Sequence, residues 1–388
     1  MKNKKSLTDW IIPLYKIYSD EEDEKLITKI IRRGNGWAIG PEIEEFENLI
    51  SNYVGVDHCA CLNSGTSSLH ALYLSYGFKK NDELIIPSFS FISTANSVLF
   101  VGATPKFADI EEKNLGLDPN SVQNTISKKT KAIVPMDYGG ASCNITELMD
   151  VAKKNKLVVI EDAAESLGSK INNKKVGSLS DSTIFSFCGN KVLTTGEGGA
   201  VVTNSKKIIE RVKLVRSHGR LNNKNYFNDP YNPNYVDLGY NWRMSSITAS
   251  LGISQIQKLD KIIKLRQDNA KYLIKHLSKL SEVKPFHPSK NIENIFQMFS
   301  IFLSSKKQRN SLQKYLLKQK IFSKVYFEPI HLTKFYKEKH SIKSGSLPMT
   351  EKISDRILTL PLYPNMNKEE KNYLLESIFT FFELQNQG

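Results

Sequence analysis

One lysine of this sequence lies in surroundings that suit covalent chemistry. Lys191 stands between the strand-like run Phe185-Ser-Phe and the glycine-rich run Thr195-Gly-Glu-Gly-Gly. An amine flanked by apolar and small residues can act as a nucleophile toward a carbonyl compound. The neighbouring glycines would let the backbone approach a ligand closely. Most lysines are solvated surface residues, so this segment gains meaning only together with others.

Acidic residues end one of the apolar runs. Val158-Val-Ile continues directly into Glu161 and Asp162, and Glu165 follows shortly after. Open α/β sheets bind ligands at the carboxyl ends of their strands. A carboxylate at such an end can hold a proton on a heterocyclic nitrogen. Capping of the next helix by Glu161 and Asp162 is an equally good interpretation of this run alone.

Two further segments place polar groups before helical patterns. Ser64, Gly65 and Thr66 precede one such pattern, and backbone N–H groups at a helix N-terminus attract anions. An ordinary N-cap accounts equally well for the same residues. The other segment, Leu238-Gly-Tyr-Asn-Trp-Arg-Met, comes just before a long helical pattern. A loop with buried aromatic side chains is its alternative interpretation.

The elements that must position these groups follow a strand–helix alternation. Short apolar runs are separated by stretches long enough for helices, namely Leu84-Ile-Ile-Pro, Ala132-Ile-Val-Pro, Leu157-Val-Val-Ile and Ala200-Val-Val-Thr. Strands without polar alternation suit a sheet that is covered on both faces. The first two-thirds of the chain therefore predicts an α/β doubly wound domain. Apolar residues at helical spacing between Met244 and Leu280 predict one long amphipathic helix leading into a second domain.

Composition excludes several classes of protein. The 388 residues include 40% hydrophobic and 24% charged residues, which is ordinary for a globular protein and argues against disorder. No run approaches the roughly 20 apolar residues of a membrane span, and the N-terminus lacks a continuous apolar secretory segment. Four cysteines form no CxxC pair, so we expect reduced thiols and a cytoplasmic location. The net charge of +14 is spread along the chain, which favours a solvated surface over nucleic-acid binding.

Several ordered motifs together resemble a known family. They are Gly36-Trp-Ala-Ile-Gly-Pro-Glu-Ile-Glu-Glu-Phe-Glu, Pro87-Ser-Phe-Ser-Phe-Ile-Ser-Thr-Ala-Asn, Gly102-Ala-Thr-Pro, Glu161-Asp-Ala-Ala, Gly239-Tyr-Asn-Trp-Arg-Met and Leu358-Thr-Leu-Pro-Leu-Tyr, besides the Lys191 segment. The chain is similar to pyridoxal 5'-phosphate (PLP) enzymes of the aspartate aminotransferase-like fold (fold type I). Within that group it most resembles the DegT/DnrJ/EryC1/StrS family of nucleotide-sugar aminotransferases. The resemblance implies a large, mostly parallel α/β domain of residues 20–255. It also implies a small α+β domain of residues 256–388, with residues 1–19 packed on the small one.

The resemblance also implies roles for individual residues. Lys191 would be the Schiff-base lysine, and Asp162 would pair with the PLP pyridinium. The other cofactor contacts implied are Ser64, Gly65, Thr66 and Ser186 at the phosphate, Phe91 on the ring face, and Glu165 on the phenolic-oxygen side. Asn241 would reach the phosphate of a neighbouring subunit's cofactor, which implies a homodimer with shared sites.

The Lys191 segment is similar to the perosamine synthase branch of the family. This implies transfer of an amino group from L-glutamate to C4 of a nucleotide-linked 4-keto-6-deoxyhexose, with GDP as the nucleotide. The alternatives are amination at C3, sugar dehydration, or a non-catalytic binding or regulatory protein of the same fold. The dehydratase branch replaces the lysine with histidine, and this chain keeps Lys191. Relatives often carry a histidine near the position of Asp137, to which we assign no role.

Candidate contacts to the sugar nucleotide lie in three places. They are Arg216-Ser-His-Gly-Arg220, Arg243 and Tyr326-Phe-Glu-Pro-Ile-His331. Positive side chains there would help to steer a diphosphate toward the site. An ordinary packing or surface role is an equally good interpretation of each.

Overall fold

A seven-stranded sheet forms the centre of the molecule. The structure, a computed structural model, describes residues 10–221, 234–340 and 343–386. The strands are β1 (His58–Leu62), β2 (Glu83–Pro87), β3 (Thr104–Ala108), β4 (Thr130–Ile133), β5 (Val158–Asp162), β6 (Lys170–Ile171), β7 (Lys174–Lys175), β8 (Ser182–Ser186), β9 (Gly199–Thr203), β10 (Lys284–Pro285), β11 (Ile292–Glu293), β12 (Phe299–Phe302) and β13 (Ile357–Leu360). The four strands predicted from apolar runs are β2, β4, β5 and β9, and all four are confirmed.

Helices cover the sheet on both faces. The helices of the described residues, which include those of the C-terminal part, are α1 (Glu21–Arg33), α2 (Glu42–Val54), α3 (Gly65–Tyr76), α4 (Ile92–Phe100), α5 (Pro119–Thr125), α6 (Ile145–Asn155), α7 (Lys206–Val215), α8 (Ser246–Gln257), α9 (Leu259–Leu277), α10 (Lys306–Lys318), α11 (Lys334–His340), α12 (Pro348–Arg356) and α13 (Lys368–Asn386), with a 3₁₀ turn at Ile330–Leu332. No helix in the described ranges is both long and apolar enough to span a bilayer.

The order of the strands brings the candidate residues to one edge. The sheet runs β1-β9-β8-β5-β4-β2-β3, and neighbouring strands from β8 to β3 are parallel. Only β9 runs against its neighbours β1 and β8. The carboxyl ends of β2, β5 and β8 therefore lie at the same edge, where open α/β sheets bind ligands. The predicted mostly parallel α/β architecture is confirmed.

Burial on both faces explains why the strands lack polar alternation. Leu84 and Ile86 of β2 pack into one apolar cluster, and Ile85, between them, packs into another on the opposite face. In β5 the same division separates Ile160 from Val159. Side chains of a strand alternate between faces, so both sets must be apolar when helices cover both sides.

A small antiparallel sheet, β10-β12-β13, organises the C-terminal part. The N-terminal segment packs on it: Ile12 is fully buried in that cluster, and the Trp10 ring contacts Phe322 edge-on at 5.0 Å. These contacts support the proposal that residues 1–19 belong with a small domain of residues 256–388, next to a large domain of 20–255. Residues 1–9, 222–233, 341–342 and 387–388 of that proposal lie outside the described residues.

The single long helix expected between Met244 and Leu280 is wrong, because the chain forms two helices. Lys258 ends α8 and precedes α9 with φ −109° and ψ 8°, which is not helical. Its ammonium group bonds Asp23 Oδ2 at 2.8 Å and also contacts Asp20. These ion pairs with the start of α1 hold the chain at the bend, so a tertiary contact overrides a helical pattern that has no glycine or proline at that point.

Candidate active site

A cavity of about 480 Å³ opens at the carboxyl edge of the sheet. Most of the residues singled out from the sequence line it: Ser64, Gly65, Thr66, Phe91, Asp162, Glu165, Ser186 and Lys191. They come from separate strands, loops and helix starts. The parallel strands bring together these distant parts of the sequence. Asn241 is exposed and is not among the lining residues.

Lys191 lies in the connection between the antiparallel strands β8 and β9. Its backbone is fixed on both sides by the Gln297 carboxamide: Val192 N donates to Gln297 Oε1 and Gln297 Nε2 donates to the Asn190 carbonyl, both at 2.7 Å. Lys191 Nζ donates to Glu165 Oε1 at 3.3 Å. The amine is therefore held by a rigid frame and points into the cavity beside one carboxylate.

Asp162 is the last residue of β5 and is almost fully buried. Its Oδ2 accepts from Thr94 Oγ1 at 2.7 Å, and its Oδ1 accepts from Ala164 N at 3.3 Å. Burial raises the pKa of the Asp162 carboxyl, although the bonds from Thr94 and Ala164 and the charge of Lys191 oppose this. A cationic ring nitrogen placed against this carboxylate would supply the opposite charge that it lacks.

Glu165 connects Lys191 to the loop that follows β4. Its Oε2 accepts from Gly139 N at 3.0 Å, while Oε1 faces the Lys191 amine. Its side chain is only 4% exposed. A carboxylate held in this way can orient the amine and compensate its charge.

One corner of the cavity can receive an anion. Ser64 caps α3, because its Oγ accepts from Ser67 N at 3.0 Å, so its hydroxyl serves the N-cap that is the alternative interpretation of this segment. The N–H groups of Gly65 and Thr66 follow at the first turn, where helices have no internal acceptors. A Cβ on Gly65 would lie 3.0 Å from Ser186 Cβ. Glycine therefore allows the close approach of α3 to the end of β8 that forms this corner.

The remaining lining groups suit a flat ring. Phe91 lies just before α4 with 58% of its surface exposed, which is unusual for a phenylalanine at a cavity wall. The exposed face of the Phe91 ring is therefore available to stack on a flat ligand. With a buried carboxylate, an amine and an anion corner in the same cavity, the residues present fit PLP: Asp162 at the ring nitrogen, Lys191 at the aldehyde, and Gly65, Thr66 and Ser186 at the phosphate.

Asp137, to which the sequence assigns no role, is fully buried next to Glu161. Its Oδ1 accepts from Cys143 N at 2.7 Å, whereas Asp137 Oδ2 and Glu161 Oε1 have no hydrogen-bond partner among the described residues. The candidate ligand atoms of Asp137, Cys143 and Glu161 lie within 4.8 Å of one another. Burial, with the charge of Glu161 adding to it, raises the pKa of Asp137 well above its usual range. A proton on Asp137 satisfies both carboxyls.

Asp137→Asn should therefore stabilise the protein at neutral pH. Since the folded-state pKa of Asp137 is raised, the contribution of this group is fully favourable below its unfolded pKa and is lost as pH rises toward the folded pKa. An amide needs no proton, so the gain in unfolding free energy should grow from pH 5 to pH 8 in urea titrations. Asp118→Asn, at the N-cap of α5, is the control. A gain that does not depend on pH would contradict the protonation of Asp137.

Sequence reasoning missed the groups that hold the site in place. Thr94 lies in the motif that begins at Pro87 but was assigned no role, and Gln297 lies in no motif. Their importance comes from contacts with Asp162 and with the Lys191 loop. Lys324, a further lining residue, was also missed. It adjoins the expected 326–331 segment, which is the one signal that could have indicated it.

The expected sugar-nucleotide contacts separate in space. Tyr326 lines the cavity. His331 does not, because it is fully buried with Nδ1 2.6 Å from Ser88 Oγ and Nε2 3.2 Å from Glu351 Oε1. Arg216 and Arg243 line a different cavity of about 450 Å³, where Glu47 pairs with Arg216.

Comparisons with known proteins agree along nearly the whole chain. The profile of the DegT/DnrJ/EryC1/StrS aminotransferase family matches residues 18–379. GDP-perosamine synthase of Escherichia coli O157:H7 is 31% identical over 371 residues, covering 96% of this chain and 98% of the relative. UDP-4-amino-4,6-dideoxy-N-acetyl-β-L-altrosamine transaminase of Campylobacter jejuni is 32% identical over 376 residues, covering 95% and 97%. The structure of Helicobacter pylori PseC, an aminotransferase involved in the biosynthesis of pseudoaminic acid, superposes with a TM-score of 0.90 at 30% identity, covering 96% and 99%.

Proposed function

The chain belongs to the DegT/DnrJ/EryC1/StrS aminotransferase family, and on that premise we propose that it transfers an amino group from L-glutamate to C4 of a nucleotide-linked 4-keto-6-deoxyhexose. It is a PLP-dependent sugar aminotransferase. The observation that carries amino transfer is the joint placement of Lys191, Glu165 and Asp162 on one cavity. GDP-perosamine synthase is among the relatives with the highest similarity, which supports C4 and GDP.

The roles proposed for the site residues follow from their contacts. PLP, when bound, supplies an electron sink for the α-carbon of the amino donor. Asp162 would keep the proton on the ring nitrogen, and Thr94 would orient its carboxylate. Lys191 would form the covalent bond that holds the cofactor between reactions. Gly65 and Thr66 would bind the phosphate through backbone N–H groups.

Once displaced from the cofactor, the Lys191 amine would move protons. It would take the proton from the donor's α-carbon, acting as a general base. It would later deliver a proton to the sugar carbon that receives the amino group, acting as a general acid. Glu165 Oε1, 3.3 Å from Nζ, would orient the amine and compensate its charge when it is protonated. The Gln297 carboxamide would keep the loop from moving during both steps.

Other assignments within the family remain outcomes of the test. Amination at C3 would use the same residues. A relative at 32% identity is named as a UDP-linked 4-amino sugar transaminase, so UDP is the alternative nucleotide. Dehydration and a non-catalytic role gain no support from Lys191 beside Glu165 in the cavity. We place the reaction in the cytoplasm, consistent with four free cysteines, and assign it to the biosynthesis of a surface polysaccharide.

A panel of substrates tests this proposal. The holoenzyme is incubated with L-glutamate and, separately, with GDP-, UDP- and dTDP-linked 4-keto and 3-keto deoxysugars, and the products are identified by mass spectrometry and NMR. Amination of a GDP-linked 4-keto sugar at C4 is the expected result. Exclusive amination at C3 would contradict the regiochemistry, and dehydration without amino transfer would contradict the reaction type.

A homodimer with shared sites is part of the same proposal. Asn241 is exposed and lies outside the cavity of its own chain, in keeping with a contact to a second copy. Asn241→Ala should weaken PLP binding about tenfold, because a hydrogen bond to a charged group contributes about 1.5–3 kcal/mol. Dialysis against falling PLP concentrations measures this. Asn124→Ala, at an exposed position of α5, is the control. Unchanged PLP affinity would contradict the shared site.

A further inference from the structure

The active-site cavity contains one lysine that no described carboxylate neutralises. Among the described residues, two lysines line the cavity, Lys191 and Lys324. Lys191 Nζ is 3.3 Å from Glu165 Oε1, whereas no described carboxylate oxygen lies within 4.0 Å of Lys324 Nζ. The Lys324 ammonium group instead lies 4.8 Å from the centroid of the Tyr326 ring. It is exposed to solvent, so its charge is available to a ligand.

The backbone of Lys324 is held in place, although its ammonium group has no described carboxylate partner. Lys324 N donates to the Thr359 carbonyl at 3.1 Å, and Thr359 N donates to the Lys324 carbonyl at 2.8 Å. Two residues further, Tyr138 Oη donates to the Tyr326 carbonyl at 2.9 Å. The fixed backbone limits the part of the cavity that the ammonium group can reach, so less conformational freedom is lost when it binds an anion.

Tyr326 relates this lysine to the reacting end of the cavity. Burial, together with the charges of Glu165, Tyr15 and Cys188, raises the pKa of Tyr326 to about 12. Its hydroxyl therefore remains neutral and lies in the field of Glu165, the partner of Lys191. Lys324 contacts the face of the same ring. It is exposed, whereas the side chains of Lys191 and Glu165 are largely buried, so Lys324 lies on the more solvent-exposed part of the cavity wall.

We propose that Lys324 binds the diphosphate of the nucleotide sugar. The inference rests on the proposed function, which supplies two anionic substrates. The carboxylate nearest to the reacting centre of glutamate is bonded to the α-carbon and must lie beside Lys191. The diphosphate is attached at C1, across the sugar ring from C4, so it lies farther from Lys191 and toward the mouth. Lys324 is the solvent-exposed lysine of the described lining, and a compact ammonium group suits a phosphate oxygen.

Separate measurements of the glutamate half-reaction and of nucleotide binding test the assignment. Lys324→Ala should weaken binding of free GDP or UDP to the holoenzyme about tenfold by calorimetry, in line with the loss of one charge-assisted bond. Single-turnover reaction with L-glutamate, followed by cofactor absorbance, should stay within about twofold of the wild type. Lys324→Arg should retain most of the nucleotide affinity. Lys314→Ala, an exposed lysine of α10 outside the cavity wall, should change neither measurement.

Each outcome decides a different point. Equal GDP and UDP affinities in wild type and Lys324→Ala would overturn the assignment, as would a wild type that binds neither nucleotide. A slower glutamate half-reaction with unchanged nucleotide binding would assign Lys324 to the donor carboxylate instead. Failure of every keto sugar in the panel, with nucleotide affinity still dependent on Lys324, would contradict the proposed reaction and leave the diphosphate site supported.

Discussion

Lys191→Ala should lower amino transfer by at least about 10³-fold. The substitution removes both the covalent attachment of PLP and the group that moves the protons, and general acid–base catalysis alone contributes about 10²–10⁴-fold. The fold should be unaffected, because the loop is held by Gln297 and not by the Lys191 side chain. Turnover with glutamate, PLP absorbance and thermal unfolding of the same sample measure the three properties.

Borohydride reduction provides the direct test of covalent attachment. Reduction of the yellow holoenzyme followed by peptide mapping should place the label on Lys191, and the alanine variant should take up no label there. Lys191→Arg keeps a cation beside Glu165 but cannot form the bond, so it should be as inactive as the alanine variant. A label at another lysine, or wild-type turnover in either variant, would contradict the role of Lys191.

The sequence predicts the sheet well because the physical cause of its pattern is local. Both faces of β2 and β5 are covered, so their residues are apolar without interruption and can be recognised as strands. The direction of β9 could not be predicted, since a strand of the same composition can run either way. The bend at Lys258 depends on Asp20 and Asp23 of α1, and no local pattern contains that information.

In the candidate site, too, some residues belong to local sequence motifs and others matter only through contacts in the folded chain. Lys191, Asp162 and Gly65 lie in motifs of the sequence, so the family resemblance could assign each of them a role. Thr94 acts through its bond to Asp162, and a threonine in a helix is common whether or not it supports a functional group. Gln297 is 106 residues beyond Lys191 in the sequence, and its contact with the Lys191 loop exists only in the folded chain. Positioning groups are therefore the part of a site that motifs reveal least.

Asp162→Asn should separate stability from activity. Asp162 would be the partner of the protonated ring nitrogen of PLP, and removing the partner of a buried charge costs about 3–5 kcal/mol. If that energy is lost from the transition state, turnover should fall by about 10²–10⁴-fold. The effect on folding of the apoenzyme should have the opposite sign. Burial raises the pKa of Asp162, so its contribution to stability is lost as pH rises from its unfolded pKa toward its folded pKa. The amide avoids that loss at neutral pH.

The test compares two buried aspartates changed in the same way. Asp162→Asn should unfold at a higher temperature than the wild-type apoenzyme at pH 7.5 but have little activity when loaded with PLP. Asp137→Asn should also gain stability, yet it should keep turnover within about threefold, because Asp137 is outside the cavity lining. Thr94→Val, which leaves the Asp162 carboxylate without its 2.7 Å donor, should fall between them in activity. Equal turnover of both asparagine variants would mean that the charge of Asp162 is not required. A loss of stability in the Asp162→Asn apoenzyme would mean that burial of the Asp162 carboxylate does not destabilise the wild-type apoenzyme.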